Sequence, residues 1–483
     1  MTGTAETAVS GAGHKIVALD EFADIRRQIR DAGETLVHCH GIFDVLTPGH
    51  VRHLEEAVRQ GDRLVVTVPS DRPASETPLQ PHFDQGQRMA AVAALGCVSY
   101  VVPCDDPGEA SRVLTPDVRV PSRLLSEHFE ELPPSAAEYA RDLSARHSFD
   151  DVRAMVDSLE SLRVLVVGEV IVDEYIRCEM QGVTPKDHIP SARWLASERM
   201  WGGSFAVARH LASFCGRVTL AGIAGEGEEV AAEQAPAGTP ESIVRSFEVD
   251  AGARTVVKQR FVIEDPKRTE LDKVFSVKFV ADPWEVSDDA RRRFRTRLDA
   301  LLQEHDLVVV TDYGHGMIDP ETQALIEERS PFLALNCQTN SSNFGFNPIT
   351  KWHRADTFGL DQNELALAFR DRSRNWEPLL ERLREMLATR VGWLTLGSAG
   401  SLASTADGEL VRTPALTLHA VDTIGAGDAF FALASASARA GLPVEVGSFL
   451  GNVAGAIAVN IVGNEKSVGR DQLLRFAAAV LDA

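Results

Sequence analysis

The residues best suited to chemistry lie near the end of the chain, where residues 422–431 read Asp-Thr-Ile-Gly-Ala-Gly-Asp-Ala-Phe-Phe. Residues 416–421 predict a strand and 429–440 an Ala-rich helix, so the glycines fall at a strand-to-helix junction. Glycine has no Cβ, and the backbone can turn tightly there with its N–H groups outward, at the positive end of the helix dipole. The amides expected to bind a phosphoryl group are those of Gly425, Ala426 and Gly427.

Asp428 follows the two glycines and falls in the first turn of the predicted helix. A carboxylate at this place lies next to the bound phosphoryl group, where a base that takes the proton of an attacking alcohol is needed. An aspartate in the first turn also stabilises a helix without catalysis, because its charge favours the dipole. The short pattern Gly-x-Gly-Asp leaves both interpretations open, and the longer string favours catalysis.

Two better-known glycine patterns are excluded. The run Gly-x-Gly-x-x-Phe at 425–430 lacks the third glycine of a dinucleotide fingerprint, which argues against a dehydrogenase, and no Gly-x-x-x-x-Gly-Lys-Ser/Thr loop occurs in the chain. The string Asp-Thr-Ile-Gly-Ala-Gly-Asp at 422–428 instead resembles the C-terminal signature of the ribokinase-like (PfkB-type) sugar kinases. The resemblance implies a ribokinase-like α/β fold, a sugar or sugar-phosphate substrate, and ATP and Mg²⁺ as cofactors.

Two segments match the sugar side of that family. Residues 163–172 predict a buried strand, and Asp173 lies just past its end, where ligands of open α/β sheets bind. Gly202 and Gly203 precede a helical run and resemble the family's sugar-binding Gly-Gly turn. We expect these three residues to contact the sugar, although an aspartate is also common in turns.

Short β-prone runs predict a small sheet, here called the lid, that lies over the main sheet. They span 175–199, where glycine and proline break the run, and continue over 254–262 and 274–280. In ribokinase-like proteins such a lid closes the sugar site and often makes the dimer contact, so the resemblance implies a homodimer. The basic residues expected to bind a substrate phosphate are Lys186, Lys258 and Arg260.

The remaining family segments concern the metal and the nucleotide. The residues that the resemblance assigns to Mg²⁺ or phosphate are Glu364, Asp361 and Asp312. Asp361 replaces the asparagine of the family's Asn-x-x-Glu, and Asp312 could simply cap its loop. The residues assigned to the nucleotide are Thr395, Gly397, Gly400 and Asn452, the last opening a small-residue run, 452–462, that predicts a helix. The amide-rich loop 336–351 departs from the family's Asp-Pro-Lys and receives no assignment.

A second group of residues whose types and spacing could do chemistry lies near the start of the chain. Residues 35–58 predict a strand, a loop and a helix, followed by a buried strand at 64–68, which is the start of a parallel sheet. The spaced residues are Gly41, Phe43, Asp44, Gly49 and His50. Their pattern resembles the nucleotide-binding signature of the cytidylyltransferase-like nucleotidyltransferases. The resemblance implies a Rossmann-like domain in which His50 stabilises charge on the phosphates of a nucleoside triphosphate.

Two departures from this second family put the activity of the domain in question. Thr47 stands in place of the first histidine of the family's His-x-Gly-His pair, and Pro121-Ser122 stands where the family has Lys-Gly. Losing an electrostatic donor costs on the order of 10²–10³ in rate. The N-terminal domain is therefore either an active nucleotidyltransferase or a retained structural domain.

Composition restricts the partners. The chain has 483 residues, 44% hydrophobic and 25% charged, with a formal net charge of −21, which opposes binding to nucleic acid and to anionic membranes. No apolar run is long enough to cross a bilayer, and the small, polar residues 1–13 lack the features of a signal peptide. The six cysteines are scattered, which predicts free thiols in a reducing cytoplasm and no zinc site.

The chain is long enough for two or three domains. We expect a tail and lead-in over 1–32, a nucleotidyltransferase domain over 33–132, a linker helix over 133–162 and a ribokinase-like domain over 163–483. The pair of modules, in the opposite order, resembles the two-domain enzymes of ADP-heptose synthesis. The resemblance implies a kinase for a heptose 7-phosphate and transfer of a nucleotidyl group to the sugar 1-phosphate. The alternatives are a kinase for another sugar with a structural N-terminal domain, and a non-catalytic sugar-nucleotide sensor.

Overall fold

The computed structural model describes residues 15–41, 43, 46, 48–59, 61–70, 83–103, 134–225, 242–263, 272–280, 286–339, 343–417 and 420–481. The chain forms two compact units that divide between Glu131 and Leu132. The tail expected over 1–13 lies outside the described residues. None of the helices that the structure describes has the length and apolar composition needed to cross a bilayer.

The first unit contains a parallel sheet of three described strands in the order β1-β2-β3. The strands are β1 (Leu36–His40), β2 (Arg63–Val68) and β3 (Tyr100–Pro103), and the helices are α1 (Leu19–Asp31), α2 (Pro48–Val58) and α3 (Gln85–Ala93). Apolar side chains project from both faces of the sheet. Val37 and Val66 belong to one buried cluster, and Leu36 and Val65 belong to another. Helix α1 packs through Phe22 in the second cluster, so the expected lead-in is folded.

The second unit is built on a nine-stranded sheet in the order β16-β15-β14-β13-β12-β11-β4-β7-β8. Its strands are β4 (Arg163–Gly168), β7 (Arg217–Gly225), β8 (Ile243–Asp250), β11 (Leu307–Asp312), β12 (Leu333–Cys337), β13 (Thr357–Asp361), β14 (Val391–Thr395), β15 (Ser401–Thr405) and β16 (Leu410–Thr413). All neighbours from β8 to β14 are parallel, and β15 and β16 are antiparallel. The carboxyl ends of β4, β11, β12, β13 and β14 therefore meet at one edge.

Helices cover both faces of this sheet. They are α4 (Pro134–Ser144), α5 (Phe149–Ser158), α6 (Ser204–Ala212), α7 (Asp288–Glu304), α8 (Pro320–Arg329), α9 (Gln362–Phe369), α10 (Trp376–Met386), α11 (Ala426–Ala440), α12 (Val444–Ala458) and α13 (Arg470–Leu481). Buried Phe294 of α7, Ile326 of α8 and Leu380 of α10 pack with the strands in one core cluster. On the other face α11 lies between α6 and α12. Its N-terminus is at the carboxyl edge, because Gly425 and Gly427 line one cavity with Asp361 and Thr395, the last residues of β13 and β14.

The lid is a separate four-stranded sheet in the order β10-β9-β5-β6. Its strands are β5 (Val170–Val183), β6 (Pro190–Gly203), β9 (Val256–Ile263) and β10 (Asp272–Phe279). The short strands expected over 175–199 are instead one hairpin of two 14-residue strands. Of the expected breaks, Pro185 lies in its turn, while Gly182 and Pro190 lie in the strand ends beside the turn. The expected place of Asp173 is also wrong: it lies inside β5, since the chain passes from β4 into the lid after only Glu169.

Three further sequence expectations differ from the structure. The linker helix is two helices, α4 and α5, because Ser148 caps a new helix and the chain turns before it; both pack against α13 in the second unit. The described residues of the strand expected over 416–421 are not in a strand, since the Val421 and Asp422 N–H groups donate to Val459 at the end of α12. The helix expected over 452–462 is α12, which begins at Val444 and ends at Ala458.

Candidate functional site

The first turn of α11 forms an uncapped helix N-terminus. Gly425 precedes the helix with φ +85°, a conformation that favours glycine, and a Cβ there would lie 2.6 Å from Oδ1 of Asn464. A Cβ on Gly427 would meet no atom within 4 Å, so the space above this residue is open. The first N–H groups of a helix have no intrahelical acceptor, and no side chain caps α11. The expected anion site at Gly425, Ala426 and Gly427 has this geometry.

Asp428 is the third residue of α11 and is half-buried in the wall of a cavity. Burial raises its pKa to about 7, and the charge of Asp173 raises it as well. Gln338 opposes this shift, because its Nε2 donates a hydrogen bond to Oδ1 of Asp428 over 3.1 Å. A carboxyl group with a pKa near the working pH can both accept and release a proton, which suits a general base.

The cavity lies between the lid, the carboxyl edge of the main sheet and the first turn of α11. The expected residues that line it are Asp173, Gly203, Lys258, Arg260, Asp361, Glu364, Thr395, Gly425, Gly427 and Asp428. Six other residues expected in the site, Lys186, Gly202, Asp312, Gly397, Gly400 and Asn452, are not among its described lining, and neither is Ala426. The sequence thus predicted much of one cavity wall, although the residues come from distant segments.

Asp173 forms the acidic end of the cavity. Its Oδ1 accepts a hydrogen bond from Arg260, and its Oδ2 accepts one from Nδ2 of Asn464 at 3.2 Å. Gly202 leaves room for this carboxylate, since a Cβ there would lie 2.3 Å from Oδ2 of Asp173. Gly203 has φ +62°, and a Cβ would meet the carbonyl oxygen of Glu169 at 2.6 Å. The two glycines therefore allow the lid strands to approach each other around a buried acid.

The lid presents a group of cations to the cavity. Lys258 and Lys278 are directly opposite each other across β9 and β10, and Arg260 lies two residues along from Lys258, so all three share one face. Burial lowers the pKa of both lysines, and Arg260 lowers them further. Burial and then the two lysines lower the pKa of His315 to about 4. Arg260 pairs with Asp173, whereas Lys258 forms no ion pair with any residue that the structure describes.

Lys186 lies apart from this group. It is exposed in the turn that joins β5 and β6, at the far end of the hairpin from Asp173. Its expected contact with a substrate phosphate has no support from neighbouring cavity residues.

The three acidic residues expected at the metal have different surroundings. Asp361 caps α9 by accepting from the N–H groups of Asn363 and Glu364, and Glu364 accepts from the N–H groups of Asp361 and Thr339. Burial, with the charge of Asp361, raises the pKa of Glu364 to about 8. Asp312 is buried, is not among the described cavity lining, and accepts from Lys351 at 2.6 Å and from Trp352. No group of three metal-ligating side chains occurs within the described residues.

On the expected nucleotide side, only Thr395 lines the cavity among the described residues. Gly397 is exposed with φ +60°, and a Cβ there would meet nothing within 4 Å. Gly400 has a packing role, because a Cβ would lie 2.0 Å from the carbonyl oxygen of Thr413. Asn452 is buried and donates from Nδ2 to Ser401 and to the Ser448 carbonyl oxygen.

The amide-rich loop supplies site residues that sequence reasoning missed. Nε2 of Gln338 donates both to Asp428 and, over 2.9 Å, to Oδ1 of Asn336, whose Nδ2 donates to the carbonyl oxygen of Gly359. Asn347 holds the loop by donating to the carbonyl oxygen of Asp312 over 3.0 Å. The density of amides after a strand was the signal, since side chains that both donate and accept can fix a loop beside charged groups.

The first unit contains the N-terminal group of expected site residues, of which the structure describes all but Asp44. Gly41 follows β1, and Phe43 has φ +53°, with its ring packed edge-on against His50 at a centroid distance of 5.8 Å. Gly49 and His50 lie in the first turn of α2. The positions of Asp44, Thr47 and Pro121-Ser122 lie outside the described residues. The structure thus brings Phe43 to the helix N-terminus that carries His50.

Comparison with known proteins confirms both resemblances. Residues 38–126 match the profile of the family described as cytidylyltransferase-like, and residues 352–468 match that of the pfkB family carbohydrate kinases. The fold class expected from the sequence is confirmed in both units. Each match covers less than half of the chain.

Relatives and solved structures agree with these matches. The chain is 28% identical over 317 residues to the bifunctional protein HldE of Koribacter versatilis, covering 62% of this chain and 60% of the relative. It is 26% identical over 310 residues to HldE of Helicobacter pylori, covering 62% and 64%. The chain therefore spans less than two thirds of either relative.

A crystal structure of Escherichia coli phosphofructokinase-2 with substrates and products superposes on this chain with a TM-score of 0.52 and 14% sequence identity. The superposition covers 66% of this chain and 99% of that one. At this identity the likeness shows the fold alone.

Proposed function

We propose that the second unit transfers the terminal phosphoryl group of ATP to a hydroxyl of a sugar phosphate resembling heptose 7-phosphate. The observation that carries this proposal is the position of Asp428 beside the uncapped N-terminus of α11, in the same cavity as Asp173. An anion site, a base and an acceptor for sugar hydroxyls are the three groups that such a transfer needs. The match to pfkB family carbohydrate kinases supports the reaction class.

In the proposed reaction Asp428 takes the proton of the sugar hydroxyl as its oxygen forms a bond to the terminal phosphorus. The bond from that phosphorus to the bridging oxygen of ADP breaks, and ADP leaves. The amides of Gly425, Ala426 and Gly427 stabilise the charge of the transferred group. Asp173 accepts hydrogen bonds from other sugar hydroxyls and orients the ring, while the lid excludes water.

ATP and Mg²⁺ are the proposed cofactors. Mg²⁺ is usually held by one or two carboxylates together with substrate phosphates and water, and it neutralises phosphate charge. Asp361 on β13 and Glu364 on α9 fit this pattern, because both line the cavity. Asp312 fits less well, because it accepts from Lys351 and Trp352 and is not among the described cavity lining. Thr395 lies on the side proposed for the nucleotide.

A phosphate on the acceptor sugar explains the cations of the lid. Like charges directly opposite on a sheet are destabilising, and Lys258 faces Lys278 with Arg260 and His315 beside them. Asp173 offsets part of this charge, because it pairs with Arg260. A dianionic phosphate bound there would relieve the repulsion, so we propose that the acceptor carries one.

Replacing the proposed base tests the chemistry. We expect Asp428→Asn to lower kcat about 10²–10⁴-fold, because the amide cannot take a proton. Binding of ATP, measured by calorimetry, should stay within about twofold of the wild type since the amides of α11 remain. A panel of free and phosphorylated sugars, scored by ADP formation, identifies the acceptor. Turnover like that of the wild type in Asp428→Asn would refute the assignment.

The same base should be visible in the pH profile. Only the carboxylate form of Asp428 accepts a proton, so kcat/KM of the wild type should rise with pH and level off above a midpoint of about 7. Gln338→Leu removes the hydrogen bond that lowers this pKa, and its midpoint should move upward. A profile that is flat between pH 5 and 9 in both proteins would contradict the role of Asp428.

Charge removal in the lid tests the substrate phosphate. Lys258→Met should raise KM for the phosphorylated sugar about 10–100-fold, the loss expected for one charged hydrogen bond, and leave the weak use of the unphosphorylated sugar unchanged. Lys186→Met, at the exposed hairpin turn, is the matched comparison and should leave both values unchanged. An equal effect of Lys258→Met on both sugars would argue against a phosphate at this site.

We propose further that the first unit is a nucleotidyltransferase that joins a nucleotidyl group to a sugar 1-phosphate and releases pyrophosphate. It is supported by the match at 38–126, by the placement of His50 in the first turn of α2, and by relatives described as bifunctional. Thr47 and Pro121-Ser122 keep the alternative of a kinase with a structural first unit open. The non-catalytic sensor has less support, because the turn at Gly425 to Asp428 is intact.

Pyrophosphate release separates these alternatives. With a nucleoside triphosphate and a sugar 1-phosphate, the wild type should release pyrophosphate, and His50→Ala should do so about 10²–10³-fold more slowly, since an electrostatic donor is lost. Kinase activity of the second unit should be unchanged in that variant. Absence of release with every nucleotide tested would leave the first unit structural.

We also propose a homodimer formed through the outer face of the lid. Phe275, Val277 and Phe279 alternate along β10 on the face opposite to Lys278, and they are 55%, 37% and 54% exposed. Apolar side chains grouped on an exposed sheet face commonly mark a protein contact.

Sedimentation tests this contact. The wild type should give twice the 52.5 kDa of one chain, and Phe279→Glu should give monomers. Phe346→Glu, at a loop residue 90% exposed, should stay dimeric; a monomeric wild type would overturn the proposal.

We propose that the protein lies in the cytoplasm, because the proposed reactions use ATP and Mg²⁺ and a reducing compartment keeps cysteines such as Cys39 and Cys215 reduced. Recovery in the soluble fraction of lysed cells is the check, and recovery with membranes would contradict it.

A further inference from the structure

Asp422 is a buried carboxylate with four hydrogen-bond donors around it. Its Oδ1 accepts from Nζ of Lys273 at 2.6 Å and from the N–H of Ile424 at 3.1 Å. Its Oδ2 accepts from the hydroxyl of Tyr175 at 2.7 Å and from the N–H of Gly463 at 2.9 Å. A buried charge with this many donors is fully compensated, and removal of any donor is costly.

The four donors belong to separate parts of the second unit. Tyr175 and Lys273 lie on the lid strands β5 and β10, Ile424 lies one residue before Gly425, and Gly463 precedes Asn464. Asn464 in turn donates to Asp173. One carboxylate therefore joins the lid both to the turn that leads to Asp428 and to the loop that contacts the acidic end of the cavity.

A bulge in the lid directs Lys273 to this contact. Lys273 is opposite Val262, and Phe275 is opposite Phe261, so Val274 is an extra residue in β10. Without the bulge, Lys273 would share the outer face with Phe275; with it, Lys273 shares the inner face with Lys278. Val262 on that face is buried against Tyr175 and Met200, with Ile424 packed on the same cluster.

We propose that Lys273 is a positioning residue that fixes the lid against the turn 422–425 through its ion pair with Asp422. It does not line the cavity among the described residues, so it acts through the lid and not by touching substrate. The inference rests on the proposed kinase function for its consequence in catalysis. Loss of the pair leaves Lys258 and Arg260 mobile relative to Asp428, and the sugar phosphate, which the lid binds, is affected more than ATP.

Hydrogen exchange tests the contact without any substrate. In Lys273→Met the amides of β10 and β9 should exchange at least about tenfold faster than in the wild type. Arg193→Met is the matched control, because Arg193 forms an exposed lid ion pair with Glu179, away from Asp422. Lys273→Arg, which keeps the charge, should restore slow exchange. Equal exchange in Lys273→Met and Arg193→Met would overturn the proposal, whatever reaction the enzyme catalyses.

Kinetics test the consequence. Lys273→Met should raise KM for the sugar phosphate about tenfold with KM for ATP within twofold, and Tyr175→Phe should act in the same direction. Methylammonium added to Lys273→Ala should recover part of the loss by supplying a cation to Asp422. An equal rise of both KM values would show a general defect and refute positioning. A wild type that phosphorylates no sugar refutes the proposed function, while the exchange result still decides the contact.

Discussion

An uncapped helix N-terminus next to a half-buried carboxylate is the constraint on which the second unit depends. The first amides of α11 lack acceptors and attract an anion, while Asp428 in the same turn would repel it. Burial reduces this repulsion by raising the pKa of Asp428 to about 7, so the protonated and the charged forms of the carboxyl group are both present near neutral pH. A fully exposed aspartate would stay charged at neutral pH, and a more deeply buried one would stay protonated.

The other acids near the cavity show what a structural role looks like. Asp422 and Asp312 each accept from a lysine as well as from other donors, and Glu169 accepts from the N–H groups of Tyr313 and His315. These three carboxylates hold the loops that frame the cavity. Asp428 instead lies in the cavity wall, where the side chains of Gln338 and Tyr313 are its hydrogen-bonding neighbours, which leaves capacity for a ligand. The distribution of donors thus separates the acid assigned to chemistry from the acids that hold the fold.

Much of this arrangement could be predicted from local signals. The string at 422–428 indicated the fold class through its resemblance to the ribokinase-like sugar kinases. The apolar runs before Asp312 and Thr395 predicted two strands, and the strand ends of a parallel sheet meet at one edge. The loop amides and Asn464 could not be assigned, since their contacts depend on residues far away in sequence. The lid was predicted as a sheet, but Lys273 was missed because its direction depends on a bulge that no composition signal marks.

The most direct test of the account is a crystal structure with a non-hydrolysable ATP analogue, Mg²⁺ and the sugar phosphate. The account predicts the terminal phosphate at the amides of Ala426 and Gly427, and a carboxylate oxygen of Asp428 within hydrogen-bond distance of one sugar hydroxyl. It further predicts the substrate phosphate against Lys258. A complex in which Asp428 points away from both the triphosphate and the sugar would contradict the central claim.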